Sequence, residues 1–184
     1  MTRVLLIHAG PTPWDVENRL AGAHSLPLTA DAVAAARSLV DAIGAPVTAL
    51  NLDRANEACL QVGEMIGGKF SLRMRDREEF REMRLGLWEG LTREELRRRF
   101  PTAFPQWEER PQTVTPPEGE SIEQAVGRVE PALAKTLRKN RGGTVAIVLR
   151  PMVMQMVRGL LQKESAGQIA EHLQNVDVME TMEA

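Results

Sequence analysis

Three basic side chains each come at or just after the end of a short apolar run: His8, Arg54 and Arg150. A guanidinium group donates paired hydrogen bonds to carboxylate and phosphate oxygens, and an imidazole adds a further donor or acceptor. If the three runs are strands of one parallel sheet, these groups meet beyond the carboxyl ends of the strands and form an anion site. Each could instead cap its own strand end or pair with a local carboxylate, but three successive strand ends favour the anion site.

Predicted strands and helices alternate along most of the chain. The predicted strands are buried apolar or alternating runs at 4–7, 46–52, 69–74 and 144–149. The predicted helices have apolar positions at helical spacing and lie at 29–44, 54–68, 92–100, 121–140 and 152–162. This alternation predicts a single-domain, three-layer α/β/α sandwich with a mostly parallel sheet.

The middle of the chain departs from the alternation. Residues 81–91 are irregular and rich in glycine, and the segment 100–121 contains five prolines. Proline disfavours helix and strand interiors, so 100–121 is predicted to lie outside the core secondary structure. We expect one domain over residues 1–184, with a lid-like excursion at about 76–121 that contributes to ligand choice.

Composition excludes several classes of function. The formal net charge of −2 gives no general attraction to nucleic acid or to anionic lipid. Cys59 is the only cysteine, so a cysteine-based zinc site is not expected, and no metal-ligand cluster or cofactor motif is present. The first apolar run is too short for a signal peptide, and none approaches the roughly 20 residues needed to span a bilayer. These features predict a cytoplasmic protein without a metal or cofactor.

The C-terminal segment at 174–184 reads as a final edge strand followed by a frayed end. An edge strand leaves a row of backbone hydrogen-bonding groups unpaired, and a second copy of the chain could use them. The sequence thus leaves a homodimer open as one form of the protein.

Several motifs, taken in order, resemble the histidine phosphatase superfamily, also called the phosphoglycerate mutase-like family. They are the spacing W-D-x-x-x-R-x-x-G at 14–22, the segment REMRLGLWEG at 81–90 and the segment PPEGES at 116–121. The resemblance covers roughly residues 3 to 162. It implies a phosphoglycerate mutase-like fold and a phosphate pocket built from two histidines, two arginines and a glutamate. In that family one histidine attacks phosphorus and the glutamate gives a proton to the leaving alcohol.

When the family motif is aligned without a gap from Trp14, His8 stands where the family has an arginine. Ala9 stands where the family has the nucleophilic histidine. Gly10 and Thr12 match the family. Alanine cannot attack phosphorus, so the resemblance implies that the first catalytic histidine is missing.

Further along the chain, Arg54 matches the second pocket arginine and Glu82 matches the proton donor. Arg150 stands where the family has its second histidine, and arginine cannot accept a proton at ordinary pH. The resemblance implies a catalytic role for Glu82, and for His8 under one of the hypotheses below. It implies phosphate or substrate binding by a set of residues beyond strand ends: His8, Gly10, Thr12, Asp15, Arg54 and Arg150.

Three functional hypotheses follow from these replacements. The first is a catalytically inactive family member whose pocket binds phosphate, a phosphorylated small molecule, another anion or a protein partner. The second is a working phosphomonoesterase or mutase in which one extra residue in the turn moves His8 into the nucleophile position. The third is an interaction protein with a vestigial pocket. Ala9 and Arg150 are the residues that separate the hypotheses.

Overall fold

The computed structural model describes residues 1–173 and 179–184. Five strands form one sheet in the order β3-β2-β4-β1-β5. All neighbouring strands are parallel except β5, which pairs antiparallel with β1. The strands are β1 (Arg3–His8), β2 (Ala49–Leu52), β3 (Met74–Asp76), β4 (Thr144–Leu149) and β5 (Met179–Glu183). The predicted α/β class with a mostly parallel sheet is confirmed.

Helices cover both faces of this sheet. In chain order they are α1 (Pro13–Val16), α2 (Ala30–Ala42), α3 (Glu57–Phe70), α4 (Arg93–Arg99), α5 (Ala103–Glu109), α6 (Ile122–Lys139), α7 (Pro151–Leu161) and α8 (Ala166–Glu171). Two of these helices begin with capping boxes: Thr92 and Glu95 open α4, and Ser121 and Gln124 open α6. Within the part of the chain that the structure describes, no helix combines the length and apolar character that a membrane crossing requires.

The side chains of the central strands alternate between two hydrophobic layers. Leu5 and Ile7 of β1 pack toward α2 and α3, whereas Val4 and Leu6 pack toward α6 and α7. Burial of apolar surface on both faces explains why β1 and β4 read as continuous apolar runs in the sequence. It also places the carboxyl ends of the strands at one edge, between the two helical layers.

The prediction of a strand at 69–74 was wrong. Helix α3 continues to Phe70, Ser71 ends it in the left-handed conformation, and β3 begins only at Met74. The Lys69 ammonium group donates to three carbonyl groups at the end of α2, at 2.8–2.9 Å. Helix α3 therefore continues through two glycines, whose helix propensity is low, and this tertiary contact holds its last turn against α2.

The segment 100–121 also differs from its prediction. It contains α5, and Phe104 and Trp107 on that helix are almost completely buried. Their rings lie 5.5 and 5.7 Å from the ring of Trp88 in edge-to-face contact. The excursion is therefore part of the main hydrophobic core, because aromatic burial outweighs the local effect of the prolines.

The predicted C-terminal edge strand is confirmed for residues 179–183, which form β5 at one edge of the sheet. The rest of that prediction, over 174–178, lies outside the described residues. The homodimer that this edge could support stays a prediction.

Gly86 marks a close contact between two loops. Its φ is +55°, and a β-carbon there would overlap the carbonyl oxygen of Pro117 and the backbone of Glu118. We expect Gly86→Ala to lower the free energy of unfolding by about 2–4 kcal/mol, since both the left-handed backbone and the overlap oppose the methyl group. Gly127→Ala in α6 is the control: no atom lies within 4 Å of its new methyl, and a gain of about 0.5–1 kcal/mol is expected. Urea unfolding measures both variants, and equal stabilities would contradict the prediction.

Candidate functional site

The carboxyl ends of β1 and β4 run in register up to the predicted site. Each residue from Arg3 to His8 pairs with one residue of β4, and His8 pairs with Leu149. The Ala9 N–H then donates to the Leu149 carbonyl at 2.9 Å, which places Ala9 beside Arg150. The ladder has no bulge and no extra residue that would shift His8 by one place. The Ala9 side chain is 1% exposed and belongs to the layer toward α2.

Arg150 is held by two partners within the chain. One guanidinium nitrogen, Nη1, donates to the Gly10 carbonyl at 2.6 Å, and Nη2 donates to Oδ2 of Asp15 at 2.8 Å. The Arg150 side chain is only 3% exposed. Gly10 has a φ of +110° at the turn that presents this carbonyl. The guanidinium thus bridges the end of β4 to the turn after β1.

Asp15 holds the short helix α1 to the same turn. Its Oδ2 accepts the N–H and the hydroxyl of Thr12, each at 2.7 Å, in addition to Arg150. Partial burial opposes ionisation of Asp15, but the Arg150 charge and the Thr12 hydrogen bonds outweigh it, so the pKa of the carboxyl lies below its usual value. Asp15 and Arg150 are therefore a charged pair at neutral pH.

The His8 imidazole interacts electrostatically with both members of this pair. Its Nε2 is buried and has no hydrogen-bond partner among the described residues. Burial, and after it the Arg150 charge, lower the pKa of His8 from 6.5 to about 4, although the Asp15 carboxylate acts in the opposite direction. His8 is neutral near pH 7, and its Nε2 has almost no accessible surface.

Glu82 lines the site and caps the start of α7. Its carboxylate accepts the backbone N–H groups of Met83, Met152 and Val153 at 2.7, 2.9 and 3.1 Å. The Arg150 side chain makes no capping bond at the start of α7, so Glu82 supplies that function from a distant loop. Burial raises the pKa of Glu82, with the three N–H groups and Arg150 acting in the opposite direction.

A cavity of about 240 Å³ lies next to these residues. Asp15, Glu82 and Arg150 line it, and Arg19 and Arg93 add two further guanidinium groups. The remaining wall is mostly apolar and is made by Leu20, Ala21, Gly22, Leu85, Trp107, Pro151, Met152 and Leu173, with Asn18 as a polar exception. The cavity can hold a small anion with an apolar part.

Sequence reasoning missed Arg93 and Trp107, which both lie in the excursion. Arg93 is the first residue of α4, directly after the capping residue Thr92, and Trp107 lies on α5. Arg93 donates to Glu108 at 2.8 Å. The excursion was expected to influence ligand choice, but the sequence alone did not show which of its side chains face the cavity.

The sequence matches the model of the histidine phosphatase superfamily (branch 1) over residues 4–181. The chain belongs to the histidine phosphatase superfamily. No curated protein sequence matches it. Among solved structures, YhfR of Bacillus stearothermophilus is 25% identical with a TM-score of 0.88, over all of this chain and 91% of the other.

Two further solved structures share the histidine phosphatase fold at lower identity. The α-ribazole phosphatase of Shigella flexneri is 22% identical with a TM-score of 0.83, over 98% of this chain and 90% of the other. A histidine-to-alanine mutant of the phosphoserine phosphatase of Entamoeba histolytica, in complex with phosphoserine, is 20% identical with a TM-score of 0.78 over the same shares. These likenesses establish the shared fold.

The structure of this histidine phosphatase superfamily member brings together most of the predicted site residues, but not all. Asp15, Glu82 and Arg150 line one cavity, and Gly10 touches Arg150 directly. Arg54 is not among the residues that line this cavity. Its side chain is exposed and lines a separate concave surface with Arg73 and Arg75 beside β3. Among the described residues no group of three His, Cys, Asp or Glu side chains could hold a metal ion.

Proposed function

We propose that this histidine phosphatase superfamily member is catalytically inactive and that its cavity binds a phosphorylated small molecule or another anion. The position of Ala9 carries the proposal. In the unbroken β1–β4 ladder Ala9 lies beside Arg150, so neither of the two adjacent positions at the strand ends provides an imidazole. A methyl group cannot form a phosphoryl-enzyme intermediate.

The environment of His8 argues against the alternative in which this residue is the nucleophile. An attacking nitrogen must approach phosphorus directly, but Nε2 of His8 is buried and its side chain is not among those that line the cavity. Its low pKa leaves the imidazole neutral, which a nucleophile requires, so access rather than protonation is the obstacle. Attack by His8 would require its Nε2 to become accessible from the cavity.

Glu82 also differs from a free proton donor. Its two carboxylate oxygens accept three backbone N–H groups, and these bonds favour the ionised form while burial favours the protonated form. A general acid must be within hydrogen-bonding reach of the leaving oxygen. The bonds to Met152 and Val153 instead fix Glu82 at the start of α7, which supports a structural role in this chain.

The arginines of the cavity support anion binding. Arg19, Arg93 and Arg150 line the same cavity as two carboxyl groups, and guanidinium groups favour phosphate and carboxylate ligands. The phosphoserine complex of the Entamoeba mutant is consistent with this: in that protein, a ligand is held after a histidine has been replaced by alanine. A cytoplasmic location and the absence of nucleic-acid partners remain part of the proposal.

Release of p-nitrophenol from p-nitrophenyl phosphate between pH 4 and pH 9 tests the proposal. The wild-type protein is expected to show no turnover above buffer, while calorimetric titration with inorganic phosphate or phosphoserine detects binding. His8→Ala is the matched variant for the alternative. Turnover that His8→Ala abolishes would establish the active phosphatase. The absence of both turnover and binding would favour an interaction protein with a vestigial pocket.

A further inference from the structure

The Arg150–Asp15 pair has a consequence for what the cavity accepts. We propose that the Asp15 carboxylate acts as an internal anion that occupies Arg150 and so weakens the binding of phosphate dianions in the cavity. The inference rests on the proposed function, because it concerns the ligand choice of the same cavity. It makes Asp15 a specificity-determining residue.

Both terminal nitrogens of Arg150 already have an acceptor within the chain. Nη1 donates to the Gly10 carbonyl and Nη2 donates to Asp15, at 2.6 and 2.8 Å. The Asp15 side chain is 30% exposed, against 3% for Arg150. A ligand that approaches Arg150 from the cavity therefore meets a carboxylate that already holds the guanidinium.

The Asp15 carboxylate is also fixed in place. The Thr12 N–H and hydroxyl hold the same oxygen that Arg150 holds, each at 2.7 Å. A phosphate dianion must either displace this carboxylate from three donors or lie close to a like charge. Both cost binding free energy, and the repulsion is strong where burial limits solvent screening.

The other two cavity arginines are less buried than Arg150. Arg19 donates to the Gly90 carbonyl at 2.7 Å and forms an ion pair with Glu17, and its side chain is 34% exposed. Arg93 pairs with Glu108 and its side chain is 37% exposed. A carboxylate or phosphate monoanion at Arg19 or Arg93, with its apolar part against the wall that includes Trp107, carries less charge for Asp15 to repel than a phosphate dianion does. The structure therefore favours singly charged amphipathic anions over phosphate dianions.

Calorimetric titration of inorganic phosphate at pH 8, where the dianion dominates, tests the inference. The proteins compared are the wild type, Asp15→Asn and the control Asp31→Asn, which makes the same charge change at the exposed first turn of α2. Asparagine can still accept the Thr12 N–H, so α1 keeps its cap. Asp15→Ser is measured alongside as a second variant with a short polar side chain, and thermal melting confirms that each protein is folded.

We expect Asp15→Asn and Asp15→Ser to bind phosphate about tenfold or more tightly than the wild type, because the competing charge is gone. Asp31→Asn should match the wild type. If the wild type shows no phosphate binding and the Asp15 variants bind phosphate, the inference is supported and phosphate binding by the natural chain is overturned. Wild-type binding that the Asp15 variants do not improve would overturn the inference and leave the proposed function intact. If none of the proteins binds phosphate, the inference is overturned, and so is phosphate binding by the cavity.

Discussion

Replacing Arg128 by methionine is expected to lower the free energy of unfolding by about 3–5 kcal/mol. The Arg128 guanidinium binds both oxygens of Glu120, at 2.7 and 3.1 Å. It also donates to three backbone carbonyl groups of the loop that ends in Glu82, at 2.7, 2.9 and 3.3 Å: those of Glu79, Arg81 and Glu82. One side chain of α6 therefore holds the loop that delivers Glu82 to the start of α7.

The size of the expected loss follows from burial of this ion pair. Glu120 is 3% exposed, and the Arg128 side chain is 16% exposed. Partial burial opposes ionisation of Glu120, but the hydrogen bonds from Arg128 and from the Arg84 N–H hold the pKa of the carboxyl below its usual value. Without Arg128 the carboxylate loses its counter-charge in a poorly solvated position, and three carbonyl groups lose their donor.

Urea unfolding of the wild type, Arg128→Met, Glu120→Gln and the double variant forms a double-mutant cycle. We expect a coupling free energy of about 2 kcal/mol or more, because each single variant leaves its partner unpaired. Arg98→Met, at an exposed position of α4, is the control and should change stability by less than about 0.5 kcal/mol. A loss below about 1 kcal/mol in Arg128→Met would show that the pair is as weak as an exposed ion pair.

The class of the fold could be predicted from the sequence because burial on both faces makes the central strands continuous apolar runs. β1 and β4 lie between two helical layers, so both of their faces are apolar, and the strand ends mark the site at His8 and Arg150. Arg54 comes at a similar place after β2, but its backbone N–H bonds Asp76 and its side chain is exposed beside β3. Sequence position fixed the strand end and not the direction of the side chain.

The excursion shows the opposite limit of sequence reasoning. Its prolines indicate only the local backbone preference. The structure of this segment depends instead on the mutual burial of the aromatic rings of Trp88, Phe104 and Trp107. Long-range polar pairs are equally invisible from local pattern: Asp15 and Arg150 are 135 positions apart. The motif spacing predicted that both histidines are replaced, but the ion pair between Asp15 and Arg150 could be seen only in three dimensions.

The buried state of His8 leads to an expected loss of stability in acid. Its pKa is about 4 in the folded protein, against 6.5 for the ordinary side chain. Between these values the unfolded chain binds a proton that the folded chain does not, so stability falls as the pH falls through this window. The shift corresponds to about 3 kcal/mol of stability that is present at pH 7 and lost near pH 4.

Unfolding by urea at pH 8, 7, 6, 5 and 4.5 measures this loss in the wild type and in His8→Gln, which has no titrating group at the position. Buried carboxyl groups such as Glu82 and Asp15 contribute to both proteins, so the difference between the two curves isolates His8. That difference should stay constant from pH 8 to pH 7, which serves as the internal control. Toward pH 4.5 the wild type should lose stability relative to His8→Gln. Parallel curves throughout would mean that the imidazole titrates as it does in the unfolded chain. An imidazole so open to solvent could reach a phosphoester, and the case for His8 as a nucleophile would return.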